Sequence, residues 1–131
     1  MQSNLEQIQT ALQRLYEDVG EIQACMVTKR GLEGIVIFPE DFKEQVSEIW
    51  EPLSECINDE LEVIAKYTDY AIDKTYVELL GYGVGFQTLT YSDTALAVFI
   101  SNKEGCDPLE VLHKNRDKIM ETRDKILKIE S

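Results

Sequence analysis

Leu5, Ile8, Leu12 and Leu15 recur at helical spacing, so the first twenty residues predict a helix with one apolar face. Ser3 stands at the N-cap position, and Glu6, three residues on, completes the reciprocal pattern that satisfies the first free backbone amides. Gly20 marks the end of that helix. The pattern then changes to two β-branched runs, Ile22 to Thr28 and Leu32 to Phe38, which read as a hairpin closed by Lys29-Arg30-Gly31. Past Pro39 the helical period returns. Phe42, Val46, Ile49, Leu53, Ile57, Leu61 and Ile64 form one stripe with Trp50 beside it. Pro52 lies inside the stripe and is expected to kink this helix or detach its first turns, because it lacks an amide donor and crowds the preceding turn.

From Tyr70 onward the pattern is strand again: Ala71 to Leu80, Val84 to Ser92, and Ala95 to Ser101, with Ser92-Asp93-Thr94 as the last turn. Ala95 to Ile100 is apolar on both alternating faces, which predicts a central strand covered on both sides. Asn102 to Pro108 reads as a loop that caps a closing helix with Asp107 and starts it with Pro108. That helix carries Leu109, Leu112, Ile119, Ile126 and Leu127. The resulting order, α-β-β-α-β-β-β-α, predicts an α+β fold in a single domain over residues 1–131: a five-stranded antiparallel sheet sandwiched between helices. The strand from Ala71 to Leu80 is expected at a sheet edge.

The glycine-rich stretch Gly81 to Phe86, GYGVGF, invites a phosphate-loop reading, but a strand and not a helix follows it. A dinucleotide loop needs the amides of a following helix. Gly81 and Gly83 are therefore expected to supply positive φ angles in a turn, and Gly85 a close approach or bulge.

A net charge of −12 argues against nucleic acid as the main partner. The acids cluster. From Glu40 to Glu62 the only basic residue is Lys43, while six basic residues fall between Lys114 and Lys128 among acids. No apolar run approaches the roughly 20 residues of a membrane span, and the N-terminus does not read as a secretion signal. Cys25, Cys56 and Cys106 are widely spaced and form no CxxC pair, and His113 alone cannot complete a zinc set. Reduced thiols in a cytoplasmic protein fit best, with Cys25 and Cys56 in the core and Cys106 exposed in its turn. No nucleophile elbow, P-loop or HExxH is present. His113 reads as an exposed helical residue and Arg30 as an exposed turn residue. The chain is expected to be no enzyme and to need no cofactor. Its surfaces carry the function instead: an apolar edge with Tyr76, Val77 and Leu79 is a liability unless paired, and Trp50 gives the long helix more apolar surface than one sheet face requires.

The element order, the first hairpin MVTKRGLEGIVIF with Gly31 at its turn, and the three-strand unit TYVELLGYGVGFQTLTYSDTALAVFI resemble the Roadblock family of dynein light chains and small-GTPase regulators, over nearly the full chain. The resemblance implies a roadblock/profilin-like fold. It also implies a homodimer, or a heterodimer with a roadblock paralogue, built by pairing the third strands edge to edge beside the long helices. Thr75, Tyr76, Val77, Glu78 and Leu79, with Trp50 and Ile57, would form that interface. It further implies docking on a small Ras-like GTPase, for which Glu48 and Glu55 in the acidic run are the candidate contacts. A small-molecule sensor of the PAS or GAF kind is the alternative. Such a fold breaks the region between hairpin and final strands into several short helices around a ligand, and Pro52 keeps that reading open.

Overall fold

A computed structural model describes residues 3–90, 94–103 and 105–130, with side chains at 32–34, 90 and 130 left aside. Helix α1 (Asn4–Asp18) begins as its cap pattern requires: Ser3 Oγ accepts from the Glu6 amide at 3.2 Å. It buries Ile8, Ala11, Leu12 and Leu15, while Leu5, expected on that face, is exposed in the first turn. Strands β1 (Ile22–Lys29) and β2 (Leu32–Phe38) form the hairpin, with Gly31 at φ 83° in its turn.

The stripe from Phe42 to Ile64 is not one helix. A single turn, α2 (Phe42–Gln45), is separated from α3 (Trp50–Lys66), and Pro52 lies in the first turn of α3. An amide missing there costs no helical hydrogen bond, so the break falls ahead of the proline and not at it. The stripe nevertheless keeps its face: Phe42, Val46, Leu53, Ile57, Leu61 and Ile64 are all buried in one cluster.

Strand β3 is shorter than expected, Lys74–Leu79, because Thr68–Tyr70 forms a 3₁₀ turn and Ala71 takes the left-handed conformation at φ 51°. Strand β4 (Tyr82–Thr90) starts earlier than expected. Leu79 pairs with Tyr82, so the turn is the two residues Leu80 and Gly81, at φ 50° and 87°. Two positive φ angles match the right-handed twist of a tight hairpin. Gly83 is thereby already in the ladder opposite Glu78, and the positive φ expected there falls on Leu80 instead. Of the expected turn Ser92-Asp93-Thr94, the first two residues lie outside the described ones, and Thr94 opens β5 (Thr94–Ser101).

The closing helix is also two. Helix α4 (Pro108–Lys114) is capped by Asp107, whose carboxylate accepts from the Leu109 and Glu110 amides. Helix α5 (Arg116–Glu130) follows. Asn115 sits between them, its side-chain amide donating to the Val111 carbonyl at 2.9 Å. Local side-chain competition of this kind favours helix ends.

The sheet is antiparallel throughout, in the order β2-β1-β5-β4-β3. β5 is central and buried from Ala95 to Ile100, and β3 is an outer edge, both as expected. One face carries α1, α4 and α5 over Cys25, Val27, Leu96, Val98 and Ile100. The other carries α2 and α3 over Met26, Val84, Phe86, Ala97 and Phe99. Cys25 is fully buried, whereas Cys56 and Cys106 are each half-buried, Cys106 being held against the core by the loop that caps α4. His113 and Arg30 are exposed as expected. Among the described residues no helix is long and apolar enough to cross a membrane.

Candidate protein interface

β3 hydrogen-bonds to β4 on one side and leaves its other side open. Its register divides its side chains between the two faces. Thr75, Val77 and Leu79 point to the α3 side, where Val77 and Leu79 pack at the rim of the core. Lys74, Tyr76 and Glu78 point to the α4 side. No residue of β3 is buried, and its middle residues, Thr75 to Val77, are half-exposed. A β-strand with apolar side chains and one open row of amides and carbonyls is a template for another strand.

Glycines explain why this edge stays uncovered by helix. A Cβ on Gly83 would run into Pro108 and the Tyr76 hydroxyl, and one on Gly85 would meet Leu112 Cδ1 at 2.8 Å. Both glycines let α4 sit directly on β4, and Gly83 leaves room for the Tyr76 hydroxyl. The Thr75 Oγ1 and Tyr76 hydroxyl oxygen are buried with no partner in hydrogen-bonding geometry, although the Glu78 carboxylate lies near the phenol. Burial first, and that carboxylate second, push the Tyr76 phenol up to about 12.

Trp50 is half-buried, with Lys43 Nζ 5.1 Å from its ring. Ile57 is only 1% exposed, facing the sheet of its own chain. It can support an interface from beneath but presents nothing to a partner. Glu48 and Glu55 are exposed and make no ion pair among the described residues, Glu48 in the link between α2 and α3, Glu55 on the outward side of α3. The field along α3 is negative enough to be felt locally: burial, then Glu60 and Asp59, raise the Cys56 thiol above its ordinary value.

Sequence reasoning missed other exposed apolar groups: Val63, Tyr67, Tyr70 at 82%, and Leu80. The signal was available for Val63, which neighbours Ile64 and so cannot share its helix face. Tyr67 and Tyr70 lie tilted against each other, ring centres 6.3 Å apart, where α3 hands over to the 3₁₀ turn before β3. Together with β3 they make an apolar, partly acidic surface running from the end of α3 to the open edge. Among the described residues no group of three His, Cys, Asp or Glu side chains could hold a metal ion.

No protein-family model matches the sequence, and comparison with curated protein sequences gives no match. Solved structures do match. MglC from Myxococcus xanthus superposes with a TM-score of 0.66 at 12% identity, covering 91% of this chain and 98% of that one. Myxococcus xanthus MglB gives 0.68 at 11% identity, over 98% and 91%. A Roadblock/LC7 domain from Streptomyces avermitilis gives 0.58 at 11% identity, over 91% and 97%. With its antiparallel sheet, its helix order and these likenesses, the chain has the roadblock/LC7 fold.

Proposed function

We propose that this chain is a single roadblock-like domain, spanning residues 1–131, that acts in the cytoplasm as a non-enzymatic dimeric adaptor for a small Ras-like GTPase. The observation that carries the reading is the open β3 edge, none of whose residues is buried and whose Val77 and Leu79 pack at the rim of the core that α3 covers. Pairing two β3 strands makes one continuous sheet from two chains, buries Val77 and Leu79 further, and brings the two α3 helices alongside each other. A second copy of the same chain, or a roadblock paralogue, satisfies that edge equally well in chemical terms. The acidic outer side of α3, with Glu48 and Glu55, then forms the face on which the GTPase docks, charge guiding the encounter more than holding the complex. The adaptor needs no cofactor and hydrolyses no GTP itself.

Sedimentation of the purified protein tests the dimer: twice the 15.0 kDa chain mass is expected, and a monomer at ~100 μM overturns it, since interfaces of standard size hold at that concentration. Affinity capture from native lysate, with GDP or a GTP analogue present, tests the partner. Recovery of a Ras-like GTPase is expected, and intrinsic GTP hydrolysis by the purified chain overturns the assignment.

A further inference from the structure

The helix layer that leaves the β3 edge uncovered also leaves a hole. Between β3–β4 and the α4–α5 pair lies a half-open cavity of about 230 Å³. Its floor and walls are apolar, with Val98, Leu112 and Ile119 below and Leu109 at the mouth, 43% exposed. Gly85 makes it possible, because a side chain there would run into Leu112, which with Tyr76 lines the cavity. The rim is of another character. Lys74 from β3, His113 from the end of α4 and Arg116 from the start of α5 all line it. None of the three is ion-paired among the described residues. Of the acids near this lining, Asp73 is engaged, its Oδ1 accepting from Gln87 Nε2 at 3.0 Å, while Glu78 and Asp107 lie towards the Tyr76 hydroxyl. In a chain of net charge −12, a rim contributed by two cations and an imidazole from three different elements is a local reversal of sign.

We propose that this cavity is a binding site for a small amphipathic carboxylate, its apolar tail on Val98, Leu112 and Ile119 and its carboxylate at the Lys74–Arg116 rim. Size sets the class. At about 30 Å³ for each water-sized group the cavity takes a tail of roughly seven or eight such groups, and it lies below the ~300 Å³ at which drug-sized pockets begin. Charge sets the head: a guanidinium and an ammonium complement a carboxylate, and ionic hydrogen bonds at the edge of an apolar pocket are stronger than neutral ones. The apolar mouth at Leu109 suits an aliphatic chain better than a sugar. The site lies wholly within one chain, so it stands or falls separately from pairing at β3.

Octanoate is the probe, with octan-1-ol as its uncharged match, followed by amide chemical-shift titration of the full-length protein. Octanoate is expected to move the resonances of Lys74, Gln87, Leu112 and Arg116, and to bind about tenfold more tightly than the alcohol, as a charge-assisted head group predicts. The Lys74→Gln/Arg116→Gln double variant, altered only at exposed rim positions, is expected to bring octanoate down to the alcohol's affinity and leave the alcohol unchanged. Equal binding of octanoate and octanol to the native protein overturns the proposal. So does an absence of shifts, or shifts centred away from the cavity. Cavity resonances that respond to protein dilution but not to octanoate show the space to be filled by a second copy, and that result overturns it too.

Discussion

Strands β2 and β3 are both outermost, yet β2 is held by helices on its two faces while β3 is half-exposed along its length. On one side of β2 lies α1, from which Gln9 Nε2 donates to the Ile37 carbonyl at 3.0 Å and the Tyr16 ring meets Phe38 edge-on. On the other side α3 reaches the hairpin, where Asn58 Oδ1 accepts from the Gly31 amide at 2.9 Å. Val36 and Ile37 are buried as a result. β3 has no comparable clasp, and one of its two faces opens on a cavity. An edge whose carbonyl is already taken by a neighbouring side chain is a poor template for an added strand. An edge left open beside apolar side chains is a good one. The difference supports β3 over β2 as the edge at which a partner strand would add.

The largest expected effect comes from breaking that asymmetry directly. Val77→Pro removes a donor from β3 and fixes its backbone angle, and should convert the dimer to a folded monomer of 15.0 kDa by sedimentation, with its circular dichroism largely retained. Ile35→Pro, at an exposed position of the β2 edge, should leave the dimer intact whatever it does to stability. A Val77→Pro dimer, or an Ile35→Pro monomer, reverses the comparison. Ile57→Ala does not serve here. Its side chain is core, and its loss costs about 2–5 kcal/mol within the chain itself, whether or not a partner exists.

A second test concerns why α4 leaves β3 open. Gly83→Ala places a methyl against the Tyr76 hydroxyl and the buried Pro108 that starts α4. Overpacking of this kind should cost about 1–3 kcal/mol in urea unfolding. Gly20→Ala, with nothing within 4 Å of the added carbon, should cost far less. Equal losses at the two positions would show that α4 does not rest on the bare backbone of β4.

These glycines also show how far the sequence could be read. The order of elements, the central β5, the open edge at β3 and both helix caps follow from periodicity and capping chemistry, which are local. Where Gly83 sits was misjudged, because a glycine in a strand and a glycine in a turn look alike until the partner strand is known. The two-residue turn at Leu80 and Gly81 moved it into the ladder, while Gly85 makes the close approach expected of it, to Leu112. The break at Asn115 has the same origin, a side-chain amide that takes a backbone carbonyl. Of the candidate interface residues, Tyr76, Val77 and Leu79 were legible as apolar groups of an edge strand. The burial of Ile57 was not, since a stripe does not tell which members face the sheet and which face outward.

Charge gives a smaller effect. Glu48→Lys/Glu55→Lys should slow capture of the GTPase about several-fold and flatten its dependence on salt, because exposed charges act chiefly on encounter. The equivalent reversal on the other layer, Glu17→Lys on α1, is the matched control. Unchanged capture in the α3 variant, with loss in the α1 variant, moves the docking face to the helices that cover β2.

The smallest effect separates the two edges by proton chemistry. Tyr76 at the β3 edge and Cys25, whose backbone pairs with Phe38 of β2, both have burial as the leading reason for a value raised to about 12. Folding favours the neutral form of each, so their contribution to stability is intact below the ordinary values, 10.0 for the phenol and 9.0 for the thiol, and is lost as pH rises towards 12. Cys25 Sγ has a partner, the Leu12 carbonyl at 3.3 Å, whereas the Tyr76 hydroxyl has none in good geometry. Removing an unpartnered buried hydroxyl leaves nothing unsatisfied behind. Tyr76→Phe should therefore be neutral, or stabilising by up to about 1 kcal/mol, at pH 7. Between pH 10 and 12 it should lose less stability than the native protein, read from urea midpoints across that range. A clear loss of stability at neutral pH means that the phenol does have a partner at this edge, and the Glu78 carboxylate beside it is then the first place to look.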